Sequence, residues 1–119
     1  ILFVLHNSSM LRLLKSFFWS KGYSPVTTNN GEDALEASRR ESPDVIVLEK
    51  CLPDMDALTV CRRIRTESAV PIIILAPRFS ATKDFRDLGL IDIVETIRDL
   101  GFKELMKRIN SILTEPSNL

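Results

Sequence analysis

Pro43-Asp44-Val45-Ile46-Val47-Leu48-Glu49-Lys50-Cys51-Leu52-Pro53-Asp54-Met55-Asp56 is the stretch whose reading decides the fold. Its first half is a short apolar run rich in β-branched residues, continuous rather than alternating, and bounded by Pro43 and the Pro53-Asp54 turn. A strand covered on both faces reads this way, and helices on both sides are what cover it. The stretch ends on Asp56, a side chain suited to cap a helix whose inward residues are Ala57, Leu58, Cys61 and Ile64.

Working outward, similar apolar runs occupy residues 1–5, 25–28, 70–75 and 91–94, and the intervals between them carry helical periodicity. Ser8 or Ser9 caps a first helix whose Met10, Leu13, Leu14, Phe17 and Phe18 repeat at one-face spacing up to Lys21-Gly22. Asn30-Gly31-Glu32 opens a second helix with Ala34, Leu35 and Ala37, closing before Ser42-Pro43. A helix near residues 80–88 is weakly patterned after Pro77, and is short or absent. The last begins near Gly101 and lines up Phe102, Leu105, Met106, Ile109, Ile112 and Leu113. Strict strand-helix alternation with short connections implies an α/β, doubly wound domain on a mostly parallel sheet. Function in such sheets gathers at the carboxyl ends of the strands, which here are Leu5-His6-Asn7, Glu49-Lys50, Ala76-Pro77 and residues 95–98.

Composition narrows the function classes. The 119 residues are 45% apolar and 27% charged, which supports a packed core and excludes disorder for most of the length. Sixteen basic residues balance sixteen acidic ones, so the domain has no basic excess with which to grip nucleic acid by itself. No apolar run approaches a membrane span, and the start lacks the pattern of a signal peptide, so a cytoplasmic location is expected. Cys51 and Cys61, ten apart without a CxxC, support neither a disulfide framework nor a zinc site.

The frame 43–48, then Glu49 followed by Leu52-Pro53-Asp54-Met55-Asp56, then Val60-Cys61-Arg62-Arg63-Ile64-Arg65, then Val70-Pro71-Ile72-Ile73-Ile74-Leu75, resembles the receiver domain of two-component response regulators. The similarity is greatest to the OmpR/PhoB class and extends over essentially the full chain. It implies a flavodoxin-like fold with five parallel strands in the order 2-1-3-4-5. It also implies a phosphoacceptor Asp at the tip of the third strand, Mg²⁺ held by that Asp and an acidic pair after the first strand, a Thr or Ser ending the fourth, and a Lys ending the fifth. Carried over position by position, the acidic pair falls on Leu5 and His6, the phosphoacceptor on Glu49 and the hydroxyl on Ala76. The Lys position falls on Arg98, or on Thr96 if the fifth strand ends at Ile93-Val94. Ala57 replaces the glycine of the loop.

These departures have direct chemical consequences. Mg²⁺ wants oxygen ligands in near-octahedral geometry. Leu5 offers none and His6 a softer nitrogen, so no Mg²⁺ binding, no metal site, no cofactor and no enzymatic activity are expected. Glu49, one methylene longer than Asp, carries a permanent negative charge towards the place of a phosphoryl group and reads as a fixed imitation of the phosphorylated state. A half-exposed carboxylate left by drift is the plainer account. His6 invites a metal-ligand or pH-sensor role, although a lone His more often has neither. Cys51 invites a thiol role but has no orienting acid at Leu5. Cys61 reads as core and the arginines at 62–65 as a solvated helix face, while Trp19, off the apolar stripe, is open to exposure, with a partly covered Trp the commoner case and a binding anchor the rarer one.

The resemblance leads to a phosphorylation-independent receiver domain over residues 1–113. Residues 114–119 would begin a linker to a carboxyl-terminal domain, a winged helix by resemblance, that binds DNA. Its expected task is homodimerisation in a constitutively active-like state through Phe85, Leu88, Leu90, Ile91, Glu95, Ile97, Arg98, Leu100 and Phe102, a region too apolar for one face to bury. The alternative is a sensor whose emptied acidic pocket binds a ligand or a protein, and a third reading moves the phosphoacceptor to Asp54 or Asp56.

Overall fold

The computed structural model describes residues 1–76, Phe85, the backbone of residues 91–95, and residues 101–114. The elements run β1 (Leu2–Val4), α1 (Ser8–Ser20), β2 (Val26–Thr28), α2 (Gly31–Glu41), β3 (Ile46–Glu49), α3 (Ala57–Arg65), β4 (Ile72–Ala76), β5 (Ile91–Glu95) and α4 (Phe102–Thr114). Four parallel strands in the order β2-β1-β3-β4 make up the part of the sheet with described side chains. The backbone of β5 pairs in parallel along β4, from Ile72 beside Ile91 to Ala76 beside Glu95. The α/β class with a parallel sheet is what the alternation of runs implied, and the flavodoxin-like arrangement is what the resemblance implied. Apart from Phe85, the expected helix at 80–88 lies outside the described residues; of the expected linker at 114–119, Thr114 is the last residue of α4 and residues 115–119 lie outside them. Among those described, no helix is long and apolar enough to cross a membrane.

Successive strand side chains point to opposite faces, which is why the strands had to be apolar throughout. Leu2, Val4, Ile46, Leu48, Ile72 and Ile74 face α2 and α3, where they meet Ala34, Leu35, Val60, Cys61 and Ile64. Phe3, Val45, Val47, Ile73 and Leu75 face the other way, against Leu11, Leu14 and Phe18 of α1 and Leu105 and Ile109 of α4. The aromatic side chains of that layer interlock, with Phe18 5.0 Å from Phe3 and 5.4 Å from Tyr23 between ring centres.

Several details correct the reading of the sequence. The buried face of α1 is Leu11, Leu14 and Phe18, and Leu13 is 57% exposed. Apolar residues cover more of this helix than one stripe holds, so periodicity alone admitted a face rotated from the real one. The cap of α1 is Asn7, whose Oδ1 accepts the Met10 N–H at 2.9 Å, rather than Ser8 or Ser9. In α3, Val60 is fully buried while Leu58 is only partly so. Phe85, assigned to a dimer face, is 3% exposed and packed in the core layer of α2 and α3. Phe102 is half-buried against α1, 5.4 Å from the Phe17 ring, so part of its aromatic surface is used within the chain. Trp19 is 68% exposed, as its position off the stripe suggested.

Candidate functional site

The parallel sheet brings the carboxyl ends of β1, β3 and β4 side by side, and the segments leaving them carry Leu5, His6, Glu49 and Ala76. Leu5 is buried with the layer under α1 and α4, and Ala76 with the layer under α2 and α3. The two apolar replacements are therefore part of the core. His6 is exposed and Glu49 half-buried. The backbone N–H of His6 donates to Oε1 of Glu49 at 3.3 Å, which ties the tip of β3 to the tip of β1. Thr96 and Arg98, the two candidates for the Lys position, lie outside the described residues. So do Leu88, Leu90, Ile97 and Leu100 of the expected dimer face. Of Ile91 and Glu95 only the backbone in β5 is described.

The loop after Glu49 is fixed by hydrogen bonds to three elements. Its Lys50 N–H donates to the Leu75 carbonyl at 3.0 Å, and its Lys50 carbonyl accepts the Ala57 N–H at 2.9 Å. Cys51 pairs with Asp56 through a single antiparallel bridge and keeps its side chain exposed. Asp56 caps α3, accepting the Thr59 N–H at 2.9 Å and the Thr59 hydroxyl at 2.8 Å. Asp54 reaches across to α2, where its carboxylate accepts the N–H groups of Gly31 at 2.7 Å and Glu32 at 3.0 Å. These bonds stabilise the charged carboxylates, so both acids titrate below the usual aspartate range. For Asp54 the Gly31 N–H is the main cause, and for Asp56 the Thr59 N–H. Asp54 and Asp56 thus hold helix ends.

Sequence reasoning missed the clamp of Asp54 on α2. Asn30 was legible as the α2 cap because its partner, the Asp33 N–H at 2.9 Å, is three residues away. The partners of Asp54 are 22 and 23 residues away, beyond any local motif. Beside them Met55 lies over Gly31 so closely that a Cβ built there would stand 2.4 Å from Met55 Cγ, so any larger residue at this position would have to push the Met55 side chain aside.

These donors do not suit a hard divalent cation. Leu5 supplies no oxygen, the nearest tip residue His6 supplies an imidazole, and Glu49 engages the backbone of β1. Among the described residues, no three His, Cys, Asp or Glu side chains group in a way that could hold a metal ion.

A doubly wound α/β module with its loops clamped at the carboxyl edge of a parallel sheet defines the class. The chain belongs to the response regulator receiver domain family, whose model matches residues 1–110. It is 36% identical over 115 residues to a probable transcriptional regulator, ycf27, of Pyropia yezoensis, covering 95% of this chain and 46% of that protein. To the ycf27 protein of Guillardia theta it is 35% identical over 119 residues, 95% of this chain and 44% of the relative. The chain thus spans about half the length of the curated relatives it matches. Among solved structures, a two-component response regulator from Clostridium difficile superposes with a TM-score of 0.86 at 25% identity, covering 96% of this chain and 94% of that one. The chemotaxis response regulator CheY4 of Vibrio cholerae gives 0.84 at 20% identity, covering 94% and 96%, and is a likeness of fold alone.

Proposed function

We propose that this chain is the receiver domain of a DNA-binding transcriptional regulator that works without phosphorylation, its task being homodimerisation in a constitutively active-like state. The observation that carries the reading is the state of the strand tips. Leu5 and Ala76 are sealed into the core, and Glu49 stands at the phosphoacceptor position with its carboxylate tied to the His6 N–H. Without oxygen ligands at the end of β1 there is nothing to neutralise a transferring phosphoryl group, and without a hydroxyl at Ala76 nothing follows a change of charge at Glu49. A permanent carboxylate takes the place of a switched one.

DNA binding belongs, in this reading, to a carboxyl-terminal domain. The ycf27 relatives are named as probable transcriptional regulators and extend well beyond the matched stretch, which supports the analogy. The dimer is supported by the place of β5 at the end of the strand order, since sheet edges are where further chains are added. Phe85 is no longer counted in that interface, because it is consumed inside the chain. No enzyme activity, cofactor or Mg²⁺ enters this reading, and the protein acts in the cytoplasm.

Incubation with acetyl phosphate and Mg²⁺ followed by intact-mass measurement tests phosphorylation independence. The unmodified mass is expected, and a phosphoryl adduct mapping to Glu49, Asp54 or Asp56 overturns it. Sedimentation equilibrium at low micromolar concentration tests the dimer, and a monomer in both low and high salt removes that part.

A further inference from the structure

At the opposite end of the domain from the strand tips, the carboxyl-terminal turns of α2 and α3 part to leave a cleft of about 370 Å³. Its floor is apolar, made by the buried side chains of Leu35 and Ile64. Its walls carry donors: the guanidinium groups of Arg39 and Arg63 and the hydroxyls of Ser38, Ser42 and Ser68. One acid, Glu67, shares the wall and accepts the Arg39 Nε–H at 2.9 Å, while Arg63 reaches Glu32 with Nη1 at 3.4 Å. Among the described residues these are the only partners of the two guanidinium groups, so Arg39 Nη1 and Nη2 and Arg63 Nη2 and Nε remain to donate.

Helix carboxyl ends ordinarily repel an anion through their free carbonyls. Here part of that set is engaged: the Ser38 carbonyl accepts the Ser42 N–H, that of Arg63 the Thr66 N–H, and that of Ile64 the N–H groups of Glu67 and Ser68. The positive field of the two arginines is therefore less opposed than the helix directions alone imply. Ser42, at φ 44°, is the one non-glycine residue with positive φ among the described residues, and it lines the cleft. Both ion pairs are more than half exposed, hence weakly held and readily exchanged for a better acceptor.

We propose that this cleft is a binding site for a small phosphate monoester. The phosphate would be taken by the guanidinium forks of Arg39 and Arg63 with the serine hydroxyls, and its organic part would lie on Leu35 and Ile64. Glu67 is the built-in competitor, occupying Arg39 until the phosphate displaces it. A receiver domain would thereby have a means of sensing a phosphorylated small molecule at a place away from its strand tips. The site does not depend on the phosphorylation-independent reading, which the acetyl phosphate experiment tests separately.

The test is a titration of the ¹⁵N-labelled 119-residue chain with glycerol 3-phosphate, and in parallel with inorganic phosphate, at constant ionic strength. Saturable shifts confined to amides 38–42 and 63–68 and to the Nε groups of Arg39 and Arg63 are expected. Tighter binding of the ester than of inorganic phosphate is expected from the apolar floor, and equal affinity removes the organic part of the proposal. Arg63→Gln should weaken the affinity about tenfold, whereas Glu67→Gln should tighten it severalfold and Arg12→Gln, on α1, should leave it unchanged. Shifts that do not saturate, or that appear equally at Arg12 and Lys15, overturn the proposal. So does a Glu67→Gln variant, folded by its amide spectrum, that binds no tighter than the wild type.

Discussion

Replacing Asp54 by Ala should unfasten the loop after β3 from the start of α2, and the structure sets the size of the effect. Two charge-assisted hydrogen bonds disappear, to Gly31 N–H at 2.7 Å and Glu32 N–H at 3.0 Å. Removing a helix-capping side chain costs about 0.5–2 kcal/mol. The exposure of Asp54 lowers the figure, because water screens the charge and hydrates the freed Glu32 N–H. Gly31 raises it, because it is buried beneath Met55 and its N–H is poorly reached by water. A loss of about 1.5 kcal/mol at neutral pH follows. Its pH dependence follows from the depressed pKa. A carboxylate held below its unfolded value contributes stability that is fully present above about pH 4, and that is lost as pH falls through the folded value. Wild type and Asp54→Ala should therefore converge in acid. Urea titrations followed by circular dichroism measure both quantities. A loss below about 0.5 kcal/mol, or a difference that stays constant into strong acid, would refute the argument that this carboxylate fastens α2.

Three further outcomes are expected. Ellman's reagent should titrate one thiol in the native protein and two after denaturation, because Cys51 is exposed whereas burial pushes the Cys61 thiol up to about 12; two reactive native thiols would contradict that packing. Phe18→Ala should cost about 3–5 kcal/mol and Leu13→Ala less than about 0.5 kcal/mol, and equal costs in urea titration would restore the face of α1 that periodicity favoured. Phe85→Ala should lower stability by about 3 kcal/mol or more at every protein concentration, and a variant that loses only self-association would return Phe85 to a dimer face.

The sequence by itself determined most of the elements and the kinds of side chain at the strand tips. Runs such as residues 45–48 declare strands covered on both faces, because a parallel sheet with helices on each side leaves no polar face to alternate. Asn30 and Asp56 declare helix starts, because a cap and its N–H partner are three residues apart in any chain. The loss of oxygen donors at Leu5 and Ala76 needed only the positions, since no fold turns an aliphatic side chain into a ligand.

Tertiary structure alone decided which of several possible partners each side chain met. Leu11 rather than Leu13 entered the core, because the phase of α1 is set by Phe3 and Leu105 across the layer and not by the spacing along the helix. Phe85 went inward for the same reason, filling space between the sheet and the layer of α2 and α3 that no local pattern describes. Asp54 found α2, Met55 found Gly31, and Arg39 found Glu67 28 residues away. Local patterns are fixed by backbone geometry within a turn or two, whereas contacts across tens of residues exist only once the strands have paired in register and brought those turns together.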